Sequence, residues 1–142
     1  MFWNQFDDDS TKKARCLASK TLKAYGGEKL RLALEKKDPD LEQPDLVNID
    51  DALDFFEDLG FYVEGDQISP EVAHQAFYYW IEGYYTAARQ YIEFRQKTSP
   101  TAWDHFKPLY DITSEVEASK VKDKKTPDET ELQKFLEGEI AL

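Results

Sequence analysis

A chain of 142 residues with 14% aromatic side chains and few glycines carries enough apolar material for one domain with a proper core. A lone cysteine, Cys16, excludes an intrachain disulfide framework, and no apolar run approaches the roughly 20 residues of a membrane-spanning helix. The formal charge is −11, and residues 38–88 hold thirteen Asp and Glu but no Lys or Arg, which speaks against direct nucleic-acid binding because phosphate contacts need those cations.

The first 37 residues are the opposite, with nine basic and five acidic side chains. Residues 1–9 read as an N-terminal arm carrying Phe2, Trp3 and Phe6. Its start has neither a basic segment nor an apolar run, so no leader is expected and a reducing, cytoplasmic setting follows. Asp9 or Ser10 is placed to cap a helix over about residues 10–25. Ala14, Leu17, Ala18, Leu22 and Tyr25 form its apolar side, and Gly26-Gly27 stops it. A second helix, about 28–37, carries Leu30, Leu32 and Leu34.

Pro39 and Pro44 mark a loop from Asp38 onward, and Asn48 is the expected cap of the next helix. Ile49, Ala52, Leu53, Phe56 and Leu59 make its buried face. Gly60 is expected to end it, with Phe61-Tyr62-Val63 extended or irregular. Ser69-Pro70 then starts the helix that dominates the chain, over residues 70–96. At about 100° per residue, Ala73, Phe77, Trp80, Tyr84, Ala88 and Tyr91 share one side, widened by Tyr78, Ile81, Tyr85 and Ile92. So wide an arc requires more than one neighbour. Arg95, near its end, is expected in a structural ion pair.

Thr98-Ser99-Pro100 repeats the start signal, so another helix is expected there, kinked or split near Phe106 by Pro108. Residues 118–126 are charged and read as a connector. Thr126-Pro127 opens the last helix, with Leu132, Phe135, Leu136 and Ile140 on one stripe. The chain therefore divides into the arm 1–9, a helical bundle 10–117, the connector 118–126 and an amphipathic helix 127–142. The fold class is all-α: an irregular bundle of five or six helices around residues 70–96.

The run Leu53-Asp-Phe-Phe-Glu-Asp-Leu-Gly-Phe-Tyr-Val, followed by Ile68-Ser-Pro-Glu, Tyr79-Trp80-Ile-Glu-Gly-Tyr-Tyr and Arg95, resembles the domain-of-unknown-function family 4760, a group of bacterial helical domains. The resemblance covers residues 49 to about 117 and rests on packing and capping residues. It implies an all-helical fold and carries no activity, cofactor or catalytic residue.

Chemistry is hard to find in these residues. Glu71-Val-Ala-His74 has the helical Glu-x-x-His spacing of di-iron bundles, but His105 is the second and last histidine and has Ala102 three residues before it. Cys16 has no cysteine partner for a metal. Hydrolase, phosphate-loop and dinucleotide signatures are absent. No catalytic, cofactor-binding or metal-ligating residue is expected. The expected function is a non-enzymatic protein-interaction module, in its strongest form an inhibitor that mimics nucleic-acid charge. Its surface would be Asp38, Asp40, Glu42, Asp45, Asp50, Asp51, Asp54, Asp58, Glu64 and Asp66, and its partner a basic protein surface such as that of a nucleic-acid-binding protein. Three alternatives stand beside it. The basic first helix could cover the acids from within. The carboxylates could serve a small metal-dependent enzyme. The aromatic helices could pair in a homodimer.

Overall fold

The computed structural model describes residues 2–26 and 28–142. Its helices, in chain order, are α1 (Phe2–Phe6), α2 (Asp9–Ala24), α3 (Glu28–Glu35), α4 (Gln43–Glu64), α5 (Pro70–Gln96), α6 (Phe106–Lys120) and α7 (Glu129–Ile140), and no strand occurs among the described residues. The all-α expectation holds, with seven helices there rather than five or six.

The helix at residues 70–96 is one unbroken rod. Ser69 accepts from the Val72 amide at 3.2 Å, and Pro70 occupies a first-turn position that has no intrahelical partner to lose. Ala73, Phe77, Ile81, Tyr84, Ala88, Tyr91 and Ile92 are buried, as the helical spacing requires, and Tyr79 on the opposite arc is exposed. The rod packs against α3, α4, α6 and α7, while α2 packs on both α4 and α7. The core runs through Leu22, Ile49, Leu53, Phe56, Leu59, Ile81, Tyr84, Phe106 and Leu109.

The arm is more ordered than a tail. Phe6 is 1% exposed and packs on Phe55 at 4.7 Å and Trp80 at 5.1 Å; Phe2 meets Tyr62 at 5.2 Å. The stop at Gly26-Gly27 falls partly on Gly27, which lies outside the described residues; α2 is closed by Tyr25, whose amide donates to the Thr21 carbonyl.

Four boundaries differ most from expectation, each for a reason the contacts show. First, α4 starts at Gln43, not after Asn48, because Glu42 and Asp45 form a reciprocal capping box and Pro44 falls in the first turn, where no N–H is needed. Second, α4 continues through Gly60 to Glu64, so Phe61-Tyr62-Val63 is helical. Gly60 is there for close approach: a Cβ on it would lie 2.3 Å from the His105 carbonyl oxygen. Third, Ser99-Pro100 opens only turns, and α6 begins at Phe106. Pro108 thus sits in a first turn and breaks no hydrogen bond, so α6 is not split. Fourth, α6 extends to Lys120, and α7 starts at Glu129 behind an Asp128–Glu131 capping box, leaving 121–128 as the connector.

Candidate functional site

The ten acids singled out above are put to several uses. Glu42 and Asp45 are occupied in the α4 cap, and the Asp38 carboxylate accepts from the Asp40 amide at 2.9 Å. Asp50 accepts from Tyr91 Oη at 2.6 Å and from Arg95 Nη1 at 3.1 Å, which is the ion pair expected of Arg95. Three further α4 carboxylates hold the turn that enters α6. Asp54 accepts from Trp103 Nε1 at 2.9 Å, Glu57 from the His105 amide at 2.8 Å, and Glu64 from His105 Nδ1 at 2.7 Å. Asp40, Asp51, Asp58 and Asp66 are exposed and have no cation within 4.0 Å among the described residues.

Their electrostatics follow from this crowding. Asp54 is pushed above the usual carboxylate range by burial, against its bond from Trp103, and the charges of Asp50, Asp51 and Asp58 push the same way. Glu57 is likewise raised, chiefly by burial. For His105, burial pulls downward, but the Glu64 hydrogen bond and the charges of Glu57, Glu64 and Asp104 together raise it.

The basic first helix packs on α4 but forms no ion pair with these acids among the described residues. Arg15 and Lys23 of α2 pair with Glu139 and Glu137 of α7, and no ion pair links α2 to residues 38–66 among the described residues. The Arg15–Glu139 pair is buried and bidentate, with Nε to Oε1 at 2.9 Å and Nη2 to Oε2 at 3.0 Å. Tyr84 Oη (2.7 Å) and Trp80 Nε1 (3.3 Å) also donate to Glu139, Arg15 Nη1 donates to the Phe6 carbonyl, and the Phe6 ring lies 3.7 Å beneath the guanidinium. This network joins α1, α2, α5 and α7. Its residue types gave no sequence signal, because Arg15 and Glu139 are 124 positions apart.

Against known proteins, a family model described as a domain of unknown function, DUF4760, matches residues 1–112. The chain belongs to the DUF4760 family. The match takes in α1 to α3, beyond the stretch that carries the resemblance in the sequence, and stops within α6. No curated protein and no solved structure matches the chain.

The remaining residues of this DUF4760 chain that drew attention are engaged structurally. His74 faces α6, with Nε2 at 2.9 Å from Glu117, and its ring stacks on Tyr78; Glu71 of the same Glu-x-x-His stretch is exposed. Cys16 is half-buried and its thiol donates to the Ile140 carbonyl at 3.3 Å. A hollow of about 260 Å³ between α5 and α7 is lined by Tyr79, Gly83, Leu132 and Phe135, with Glu82 and Lys134 beside them. What the sequence missed is a second small constellation: Glu57, Asp104 and His105 place one ligand-type atom each within 4.8 Å of one another. No helix of the described residues is long and apolar enough to cross a membrane.

Proposed function

We propose that this DUF4760 chain is a non-enzymatic protein-interaction module that presents the outer face of α4 to a basic protein surface, in a reducing, cytoplasmic setting. The observation that supports this most is the stripe Asp51, Asp54 and Asp58. These positions are three and four residues apart on one helical face, and no cation, those of α2 included, lies within 4.0 Å of them among the described residues. Like charges on one helical face repel, so the stripe costs the folded chain a little and gains when a cationic surface arrives. A partner that ordinarily holds phosphates has such a surface. In that version the module competes with nucleic acid for it.

The test is affinity capture with the purified chain, repeated as salt is raised, with Asp51→Lys/Asp58→Lys as the comparison. Both residues are exposed and neither accepts a hydrogen bond from another element, so the variant keeps the fold. A charge-driven partner is released by salt and lost in the double reversal, and nucleic acid competes for it. A partner held equally by the reversed variant sinks the proposal.

A further inference from the structure

We propose that Glu57, Asp104 and His105 form a binding site for one transition-metal dication, Zn²⁺ being the best fit, with Glu64 as the residue that orients the histidine. The site is independent of the acidic stripe and stands whether or not that stripe meets a protein. Glu57 comes from α4, and Asp104 and His105 from the turn before α6; Gly60 lets that turn press directly on α4.

The argument is geometric. The three ligand-type atoms lie within 4.8 Å of one another. His105 Nδ1 is committed to Glu64 at 2.7 Å, which directs Nε2 to the other side of the ring. There Nε2 stands 3.7 Å from Asp104 Oδ1, too long for a hydrogen bond. Two donors on one tetrahedral zinc, with bonds of about 2.0–2.1 Å, sit roughly 3.3–3.4 Å apart, so that gap closes around an ion with a few tenths of an ångström of movement. Asp104 and His105 are both solvent-accessible, so the ion has a route in.

Glu57 and Glu64 each have a simpler duty, capping α6 and pairing with the ring. Asp104, the third group, faces Nε2 as a loose ion pair that an ion between them would tighten. A histidine whose second nitrogen donates to a carboxylate is the common arrangement behind a metal ligand, since it fixes the tautomer and strengthens the donor. One imidazole and two carboxylates suit Zn²⁺, whereas Mg²⁺ prefers oxygen donors alone. Three protein donors leave a fourth position for water.

The experiment titrates the chelator-treated full chain with ZnCl₂ by calorimetry at pH 8, alongside imidazole ¹⁵N spectra. One ion per chain is expected, with the His105 ring resonances displaced and those of His74 unmoved. Glu64→Gln, which keeps an acceptor for Nδ1–H but removes the charge that strengthens the donor, weakens binding about 10-fold or more. Asp104→Asn, at an exposed position that leaves folding intact, weakens it as well; Asp51→Asn and MgCl₂ in place of zinc serve as controls. No zinc uptake by the folded chain, a response at His74 instead, or binding unchanged in both Glu64→Gln and Asp104→Asn would overturn the site.

Discussion

The buried pair Arg15–Glu139 makes the strongest quantitative prediction. Four donor groups, Arg15 Nε and Nη2, Tyr84 Oη and Trp80 Nε1, converge on one carboxylate that is 4% exposed. Glu139→Ala removes the acceptor and strands a guanidinium that is itself 2% exposed. Breaking a buried pair in this way costs about 3–5 kcal/mol. Domains of this size carry about 5–15 kcal/mol in total, so the loss is a large fraction. At a urea slope of about 2 kcal/mol per molar, the unfolding midpoint should fall by about 2 M. Arg15→Met/Glu139→Leu replaces the pair with apolar side chains of similar length and should recover most of the loss. Tyr84 Oη keeps Ser19 Oγ at 3.2 Å as its remaining partner. Urea unfolding followed by far-UV circular dichroism reads all three proteins. A loss below about 1 kcal/mol for Glu139→Ala, or a double variant no more stable than that single one, refutes the assignment of a desolvated pair, since the magnitude comes from stranding the charge.

Other expectations follow from the same contacts. Gly83→Ala sets a Cβ 2.4 Å from the Phe135 ring, so it should destabilise by about 1–3 kcal/mol despite alanine's better helix propensity, whereas Gly138→Ala, with nothing within 4 Å, should stabilise by about 0.5–1 kcal/mol; paired thermal melts decide. Asp54→Asn keeps an acceptor for Trp103 Nε1 and removes a crowded charge. Because the folded state raises the Asp54 pKa above its unfolded value, the charge penalises folding above the folded pKa and is relieved as pH falls through it. The variant's advantage in Tm should therefore be largest at neutral pH and shrink on acidification; a constant offset would contradict this. Burial raises the phenols of Tyr84 and Tyr91 above 10, so the folded state holds protons that the unfolded chain releases, and stability must fall as pH rises past about 10. Tyrosinate absorbance should rise together with the loss of helix; a full rise before any loss of circular dichroism would count against it.

Much of the architecture is legible in the residues because it is local. Ser69-Pro70, the helical spacing from Ala73 to Ile92 and the buried face Ile49–Leu53–Phe56 are properties of single segments, and helical order is written within one turn or two. The misread points turned on where a helix starts or, at Gly60, on a contact from a distant segment. Gly60 looks like a stop because glycine weakens helices, but the His105 backbone, 45 positions on, requires the missing Cβ. Pro108 looks like a kink only if α6 starts at Ser99; from Phe106 it is harmless. Pro44 looks like a breaker until Glu42 and Asp45 are seen to cap around it. Each is a residue whose meaning depends on where its helix begins or what crosses it.

The acidic block shows the same limit in functional form, and it changes the experiment. Charge is additive along a sequence, so the excess at residues 38–66 was plain, but its division between structural and free carboxylates was not. Asp50 holds Arg95 and Tyr91, Asp54 holds Trp103, and Glu57 and Glu64 hold His105. Reversing Asp50, Asp51, Asp54 and Asp58 together would therefore set a lysine against Arg95 and take the acceptor from Trp103. Loss of a partner would then report damage to the fold as readily as loss of a binding face. Asp51 and Asp58 separate the two. Both are exposed, both lie on one face of α4, and neither accepts a hydrogen bond from another element. Asp50→Lys alone supplies the complementary control. It should lower the Tm through Arg95 and Tyr91, and leave a charge-driven partner bound by whatever fraction of the chain remains folded. If Asp50→Lys abolishes capture while Asp51→Lys/Asp58→Lys spares it, the face that matters is the seam between α4 and the end of α5, and the outer stripe is only solvated charge.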